Sequence, residues 1–137
     1  MNERPAIYRC EGAGPLDDVY DFDVPGEGNV MWNVTRLTRA ALAGEFGQPV
    51  ENSFDGMPTP NYENLSREKI DLLKRFPGAA LSKPAIAVEL PGGGVMTFAD
   101  GNHRLTALRE LGHATYRTYV VPNHSERRFR VTIKELP

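Results

Sequence analysis

The sequence predicts an α/β (α+β) fold in which helices flank a small mixed β-sheet. Apolar and polar residues alternate over several short stretches, which is typical of strands, and elsewhere apolar residues recur every three or four positions, which is typical of helices. Glycine and proline interrupt the chain between these stretches. The length of 137 residues, of which 40% are hydrophobic, fits a single domain over residues 1–137 with one modest core.

The N-terminal part, up to about residue 29, is predicted to be an irregular arm because glycine, proline and aspartate are frequent in it. We expect at most a short strand there, around residues 7–9. The arm contains four closely spaced acidic residues, Asp17, Asp18, Asp21 and Asp23. They lack the glycine and the final glutamate of a calcium loop, which favours a solvated acidic loop. The three histidines match no zinc-ligand spacing, so no metal site is predicted.

The next segments follow the same rules. Residues 30–34 alternate as a short strand, and residues 35–46 have helical spacing; Trp32, the only tryptophan, is expected to anchor the core. Residues 48–62 contain three prolines and are predicted to form a long loop. A helix should then begin at a cap formed by Asn64 or Ser66 and end at Pro77-Gly78.

The second half of the chain predicts a compact alternation of elements. Ile86, Val88 and Leu90 alternate in one strand, and Leu105, Leu108 and Leu111 share one side of a helix. Gly112 stands where a helix needs a left-handed residue to end. The predicted order is strand, glycine turn, strand, helix and two further strands, at 84–90, 92–94, 95–98, 103–111, 116–121 and 128–136.

The strand-to-helix turn at residues 100–104, hereafter the elbow, is the strongest candidate for a functional site. It reads Asp100-Gly101-Asn102-His103-Arg104. The first N–H groups of a helix lack partners within the helix and carry partial positive charge, so this position can hold an anion. Gly101 permits a tight turn, and His103 and Arg104 add hydrogen-bond donors. The alternative is structural: Asp100 caps the helix, Arg104 pairs with Asp100 or Glu110, and His103 is an ordinary exposed histidine.

Charge and composition limit the classes of partner. The formal charge of −2 disfavours nucleic acid as a partner, since such binding depends on neutralising phosphates. A local basic patch at the C-terminus stays open, against a solvated strand face, because Arg127, Arg128, Arg130 and Lys134 cluster there. The chain has no run of 18 apolar residues, from which we expect no membrane association and a cytoplasmic location.

Several features around the elbow occur together in a known family. They are the strand Pro84-Ala85-Ile86-Ala87-Val88, Phe98-Ala99 before the elbow, Ala107 three residues after Arg104, and Leu111-Gly112. In this combination the chain resembles, from about Leu65 to Val121, the ParB/sulfiredoxin superfamily, also called ParB-like nuclease domains. The resemblance implies a ParB/sulfiredoxin-like fold and a nucleotide whose phosphates lie on the helix N-terminus. Members differ in activity, which includes CTP hydrolysis, sulfinate repair, serine phosphorylation and claimed DNA cleavage.

Carried over by position, the resemblance implies that Gly101 is the turn glycine and that His103 and Arg104 are phosphate ligands. Asn102 stands where sulfiredoxins have their nucleophilic cysteine and partition proteins a glutamate, so sulfiredoxin chemistry is not expected. Thr106 replaces an arginine of the partition proteins, and no helix-turn-helix follows, which argues against DNA partitioning.

The sequence therefore leaves three hypotheses. The first is a nucleotide-binding domain that hydrolyses a nucleoside triphosphate or transfers its phosphoryl group to a small-molecule or protein acceptor, with Mg²⁺ and ATP, CTP or a related nucleotide. Its binding residues are Gly101, Asn102, His103, Arg104, Lys69 and Lys83, and its candidate catalytic residues are Asp100 and His103. The general base stays open among Asp100 and the loop carboxylates Glu45, Glu51 and Asp55. The second is a non-catalytic interaction or adaptor module, and the third is a metal-dependent DNase.

Overall fold

The structure is a computed structural model that describes residues 7–56, 65–91 and 96–136. The described strands are β1 (Ile7–Glu11), β2 (Val19–Val24), β3 (Gly28–Asn33), β4 (Val50–Ser53), β5 (Ala85–Glu89), β6 (Met96–Asp100), β7 (Thr115–Val121) and β8 (Arg130–Leu136). The described helices are α1 (Val34–Leu42), α2 (Arg67–Arg75), α3 (Pro77–Ser82), α4 (Asn102–Glu110) and α5 (Asn123–Glu126), with 3₁₀ turns at Phe54–Gly56 and Arg127–Phe129. This content confirms the predicted α+β class.

The strands form two four-stranded sheets. One has the order β1-β8-β3-β2, in which every pair is antiparallel. The other has the order β4-β7-β5-β6 and is mixed, since β5 and β7 run parallel and the remaining pairs antiparallel. The sequence predicted one mixed sheet; the additional antiparallel sheet is built from the N-terminal region together with the last strand.

The prediction of an irregular N-terminal arm was wrong for residues 19–24. These residues form β2, which pairs with β3 so that Phe22 lies opposite Val30. Asp21 and Asp23 are exposed, whereas Tyr20 and Phe22, which alternate with them, are partly buried. The acidic residues therefore alternate with aromatic ones as the solvent face of a strand, and only the short strand near residues 7–9 was expected.

The predicted loop at 48–62 also contains regular structure. Residues 50–53 form β4, which pairs antiparallel with β7. The next residue, Phe54, is buried. Residues 57–64 lie outside the described residues, as do the candidate cap Asn64 and the predicted glycine turn at 92–94. Ser66 is the cap of α2, because its side chain accepts a hydrogen bond from the Lys69 N–H. Of the two candidate caps, it alone lies within the described residues.

Two short helices were not predicted. Pro77-Gly78 was expected to end a helix, and it does end α2, but Pro77 also begins α3, where its fixed φ and missing N–H suit the first turn. Residues 123–129 form α5 and a 3₁₀ turn, so the last strand begins at Arg130 rather than at residue 128. No described helix has the length and apolarity needed to cross a membrane.

A buried carboxylate contacts the larger core cluster through Trp32. Trp32 is fully buried, which confirms it as a core anchor, and its Nε1 donates to Glu126 Oε2 at 2.6 Å. Glu126 is also fully buried and accepts two bonds from Arg130, at 2.9 Å from Nε and 2.5 Å from Nη2. Arg130 in turn bonds Glu27, and these two carboxylates raise its pKa. The carboxylate is tolerated in the core because three donors replace its water shell.

Prediction for the buried carboxylate. Glu126→Ala should lower the free energy of unfolding by about 3–5 kcal/mol, because it leaves Trp32 Nε1–H and much of the Arg130 charge without an acceptor. Urea denaturation measures the change. The double variant Glu126→Leu/Arg130→Leu removes both charges and should cost less than Glu126→Ala. A double variant as unstable as the single one would show that volume, rather than unpaired charge, sets the penalty.

Candidate functional site

The elbow joins β6 to α4 through a glycine that no other residue can replace without strain. Gly101 is the N-cap of α4 and has φ +96°, in the left-handed region. A Cβ at this position would lie 2.8 Å from Ala85 Cβ and 3.0 Å from Ala85 Cα, on the neighbouring strand β5. Gly101 is thus required by the turn and by the close approach of β5, whether or not a ligand binds.

The first N–H groups of α4 have no side-chain cap. The side chains of Asn33 and Ser66 cap α1 and α2, but Gly101 has no side chain to offer. The first bond within α4 runs from the Leu105 N–H to the Gly101 carbonyl at 2.8 Å, so the three N–H groups at 102–104 precede the helical ladder. Asp100 therefore does not act as the cap that the structural alternative required.

Two cavities meet at this helix end. The first cavity, of about 340 Å³, is lined by Lys69, Leu72 and Leu73 of α2, by Ser82 and Lys83, and by Asp100, Gly101, His103 and Arg104. The second cavity, of about 550 Å³, shares four of these residues with the first. It also includes Asn102, residues of β2, and residues of segments close to β2. All seven residues chosen from the sequence line one or both cavities, including Lys69 and Lys83, which lie far from the elbow in sequence.

His103 connects the elbow to α2 rather than standing exposed. Its Nε2 accepts a hydrogen bond of 2.8 Å from the backbone N–H of Ser66. Burial lowers the pKa of His103, and the nearby charges of Lys69 and Arg104 lower it further. A neutral ring with Nε2 as acceptor carries its proton on Nδ1, so only Nδ1–H can donate to a ligand. In this arrangement Nε2 is not free to accept a proton in catalysis.

Arg104 is only partly compensated by its neighbours. Its Nη2 lies 3.6 Å from Asp100 Oδ2 and donates to the Pro84 carbonyl at 3.3 Å, both long contacts. Its Nε is buried without a hydrogen-bond partner among the described residues. The pairing with Asp100 was one of the structural alternatives, whereas Glu110 instead pairs with Arg67 and Lys74. An anion in the first cavity would compete with Asp100 for this guanidinium.

The side chain of Asn102 is used locally. Its Nδ2 donates to the Phe98 carbonyl at 2.9 Å, which ties the first turn of α4 back to β6. An amide in this position has no nucleophilic or proton-transferring group, so the chemistry of a reactive residue at 102 is absent.

The other candidate general bases lie elsewhere. Glu45 pairs with Arg128, Glu51 accepts from Thr115 Oγ1 at 2.6 Å, and neither these two nor Asp55 lines the first or second cavity. Asp18 and Asp21 line the second cavity instead. The sequence predicted both to lie in a solvated acidic loop; for Asp21, its alternation together with Asp23 against Tyr20 and Phe22 was the available signal of a strand. No group of three or more metal-ligating side chains occurs in the described part of the chain.

Comparison of the chain with protein-family models, with curated proteins and with solved structures finds no significant match. What the site can do chemically therefore rests on the geometry of its own residues.

Prediction for the elbow glycine. Gly101→Ala should lower the free energy of unfolding by about 2–4 kcal/mol, because a left-handed alanine is strained and its Cβ meets Ala85. Gly112→Ala is the matched control, since Gly112 also has a positive φ, +88°, but no atom lies within 4 Å of its added Cβ. The control should lose only about 1 kcal/mol. Equal losses in urea denaturation would contradict a steric role for Ala85.

Prediction for the buried histidine. Because the folded-state pKa of His103 is lowered, the unfolded chain takes up the proton first as pH falls. The contribution of His103 to stability is therefore complete above the unfolded pKa of about 6.5 and is lost as pH falls through the folded value. Urea denaturation between about pH 7.5 and 5 should show a shallower loss of stability in His103→Gln than in the wild type.

Other groups also titrate in that range, so a second histidine variant is needed. His124→Gln, which removes an exposed histidine of α5, is the control for the loss of a histidine elsewhere in the chain. Identical slopes in wild type and His103→Gln would contradict the lowered pKa of His103 in the folded chain.

Proposed function

We propose that this chain binds a nucleotide with its phosphates at the N-terminus of α4, and that it hydrolyses a nucleoside triphosphate or transfers its phosphoryl group. The proposal rests on one observation: the uncapped N–H groups of α4 border a cavity that also contains the cations Lys69, Lys83 and Arg104. Helix N-termini favour anions through both hydrogen bonds and their partial positive charge. The resemblance to the ParB/sulfiredoxin superfamily supports the same proposal.

The cations approach the helix end from three elements. Lys69 comes from the first turn of α2, Lys83 follows α3, and Arg104 belongs to α4 itself. Lys69 and Lys83 are exposed, whereas the Arg104 side chain is only 18% exposed. A guanidinium held with little water around it interacts more strongly with phosphate than a solvated one. Arg104 is therefore proposed as the main side-chain ligand, with the two lysines neutralising the remaining charge.

The carboxylates that border the cavities fit a magnesium nucleotide. Mg²⁺ is usually held by one or two carboxylates together with substrate phosphates. Asp18, in the second cavity, would hold it together with the phosphates, and the bound ion would neutralise charge on them. The two sites overlap through shared residues, so a carboxylate pair and a cationic cluster flank the same helix end.

The same residues suggest how protons are handled. Asp100 is the carboxylate closest to the helix end that also remains partly exposed, with 36% of its side chain accessible. It is proposed as the group that accepts the proton of the attacking water or acceptor hydroxyl. His103, whose Nε2 is engaged by Ser66, is proposed to donate through Nδ1 to a phosphate oxygen instead of acting as the base.

A non-catalytic binding module remains the second candidate, and the side chain of Asn102 favours it. This amide bonds the Phe98 carbonyl and supplies no reactive group beside the phosphates. A metal-dependent DNase is disfavoured, because the basic residues near the C-terminus pair with carboxylates: Arg127 and Arg130 with Glu27, Arg128 with Glu45, and Lys134 with Glu11. With the first function we also propose a cytoplasmic location and an acceptor that is a small molecule or a protein.

Prediction for nucleotide binding. Calorimetry with ATP, CTP, GTP and ADP, each with Mg²⁺, should detect binding of at least one nucleotide by the wild type. Arg104→Ala and Lys69→Ala should each weaken it about tenfold or more, because each removes a charged contact to phosphate. Arg109→Ala and Arg75→Ala are matched controls, since they remove exposed arginines near the far ends of α4 and α2.

Two results would overturn the proposal: no binding by any of the four nucleotides, or wild-type affinity in both Arg104→Ala and Lys69→Ala. Lys69 is exposed, so its variant remains informative if Arg104→Ala folds poorly. Release of phosphate or nucleoside diphosphate then separates the enzyme from the binding module, and Asp100→Asn should abolish release while keeping the nucleotide bound.

A further inference from the structure

A third cavity shares Lys83 and Arg104 with the first. It has a volume of about 160 Å³ and is bounded by the start of β5, the buried side of α4 and the first residues of β7. Its lining includes Ala85, Leu105, Leu108 and Tyr116, all buried members of the smaller core cluster. Its volume is close to that of an enclosed apolar cavity that holds benzene in another protein, but this cavity opens to solvent and polar residues, including His113 and Thr115, share its lining.

The rim of this third cavity is cationic. Lys83, Arg104 and Arg117 line it, against a single carboxylate, Glu51. Glu51 already accepts a hydrogen bond of 2.6 Å from Thr115 Oγ1, and it lies directly opposite Arg117 in the β4–β7 pairing. Arg104 brings a charge that its 3.6 Å contact with Asp100 offsets only in part, and its Nε has no acceptor among the described residues.

The third cavity therefore combines an apolar wall large enough for one ring with an excess of basic over acidic side chains, and this combination defines the chemistry of the occupant. The geometry points to a second ligand site, which binds a small carboxylic acid with a compact apolar body. The body lies against Leu105, Leu108 and Tyr116, and the carboxylate accepts hydrogen bonds from Arg117 and Lys83 at the rim. A phosphate group alone would leave the apolar wall unfilled, and a neutral ring would leave the rim charges unpaired.

This site goes beyond the nucleotide proposal and does not depend on it. It shares Lys83 and Arg104 with the first cavity, whereas Arg117, Tyr116 and Leu108 belong to it alone among the cavities described so far. Binding can therefore be tested without any nucleotide, and a negative result would leave the phosphate site untouched.

The test uses benzoate as the probe, titrated into the ¹⁵N-labelled full chain and followed by amide chemical shifts. We expect saturable shifts centred on Leu105, Leu108 and Tyr116, with a dissociation constant of about a millimolar, as befits so small a ligand. Arg117→Ala should weaken binding about tenfold and Arg117→Lys less, whereas Arg109→Ala, an exposed arginine outside the cavity, should bind as the wild type does.

Toluene and benzylamine test whether the carboxylate is needed, because both keep the ring of benzoate, but toluene is neutral and benzylamine is cationic. Either compound binding as well as benzoate would overturn the proposal, and so would no saturation by benzoate at about 10 mM. Shifts confined to Asn102 and His103 would place the carboxylate at the helix end and would equally overturn it. Wild-type affinity for benzoate in Arg117→Ala would show that Arg117 does not bind the carboxylate and would also overturn the proposal.

Discussion

The close approach of Gly101 to Ala85 is the constraint on which the candidate site depends. It brings the elbow against β5, so that α4 begins directly above a strand in the mixed sheet. The glycine also leaves α4 without a side-chain cap, since the residue at that position has none to offer. One requirement of packing thus sets the close approach of the turn to β5 and leaves the first N–H groups of α4 without a side-chain cap. The geometry on which the proposal of anion binding rests therefore follows from the same residue that the fold requires.

The sequence predicted those features that depend on local pattern. Alternation identified β5, the helical spacing of leucines identified α4, and Gly112 with φ +88° ends that helix as expected. The elbow could be chosen because glycine, histidine and arginine at a strand-to-helix turn have a direct chemical interpretation. Lys69 and Lys83 line the first cavity together with the elbow. Local sequence pattern does not predict this proximity, although the family resemblance did include the helix before β5.

Other features depend on pairing between distant residues, which a single sequence does not show. Asp21 and Asp23 were interpreted by their charge, although their alternation with Tyr20 and Phe22 becomes meaningful only once β3 lies alongside. The Ser66 N–H reaches His103 Nε2 across 37 positions, so no local pattern could reveal that this nitrogen is occupied. The same applies to Glu126, an acidic residue whose complete burial depends on Trp32 and Arg130. Local sequence propensity predicts the secondary structure of a segment, whereas the burial and partners of its side chains depend on tertiary contacts.

The only tryptophan lies one ring away from the second cavity. Tyr20 lines that cavity, and its ring stacks on Trp32 with centroids 6.3 Å apart. The Tyr20 hydroxyl also shares a hydrogen bond of 3.1 Å with Thr97 on β6, the strand that leads into the elbow. Any occupant that shifts Tyr20 therefore changes the surroundings of the buried indole. The intrinsic fluorescence of Trp32 is therefore a label-free measure of any binding in the second cavity that moves Tyr20.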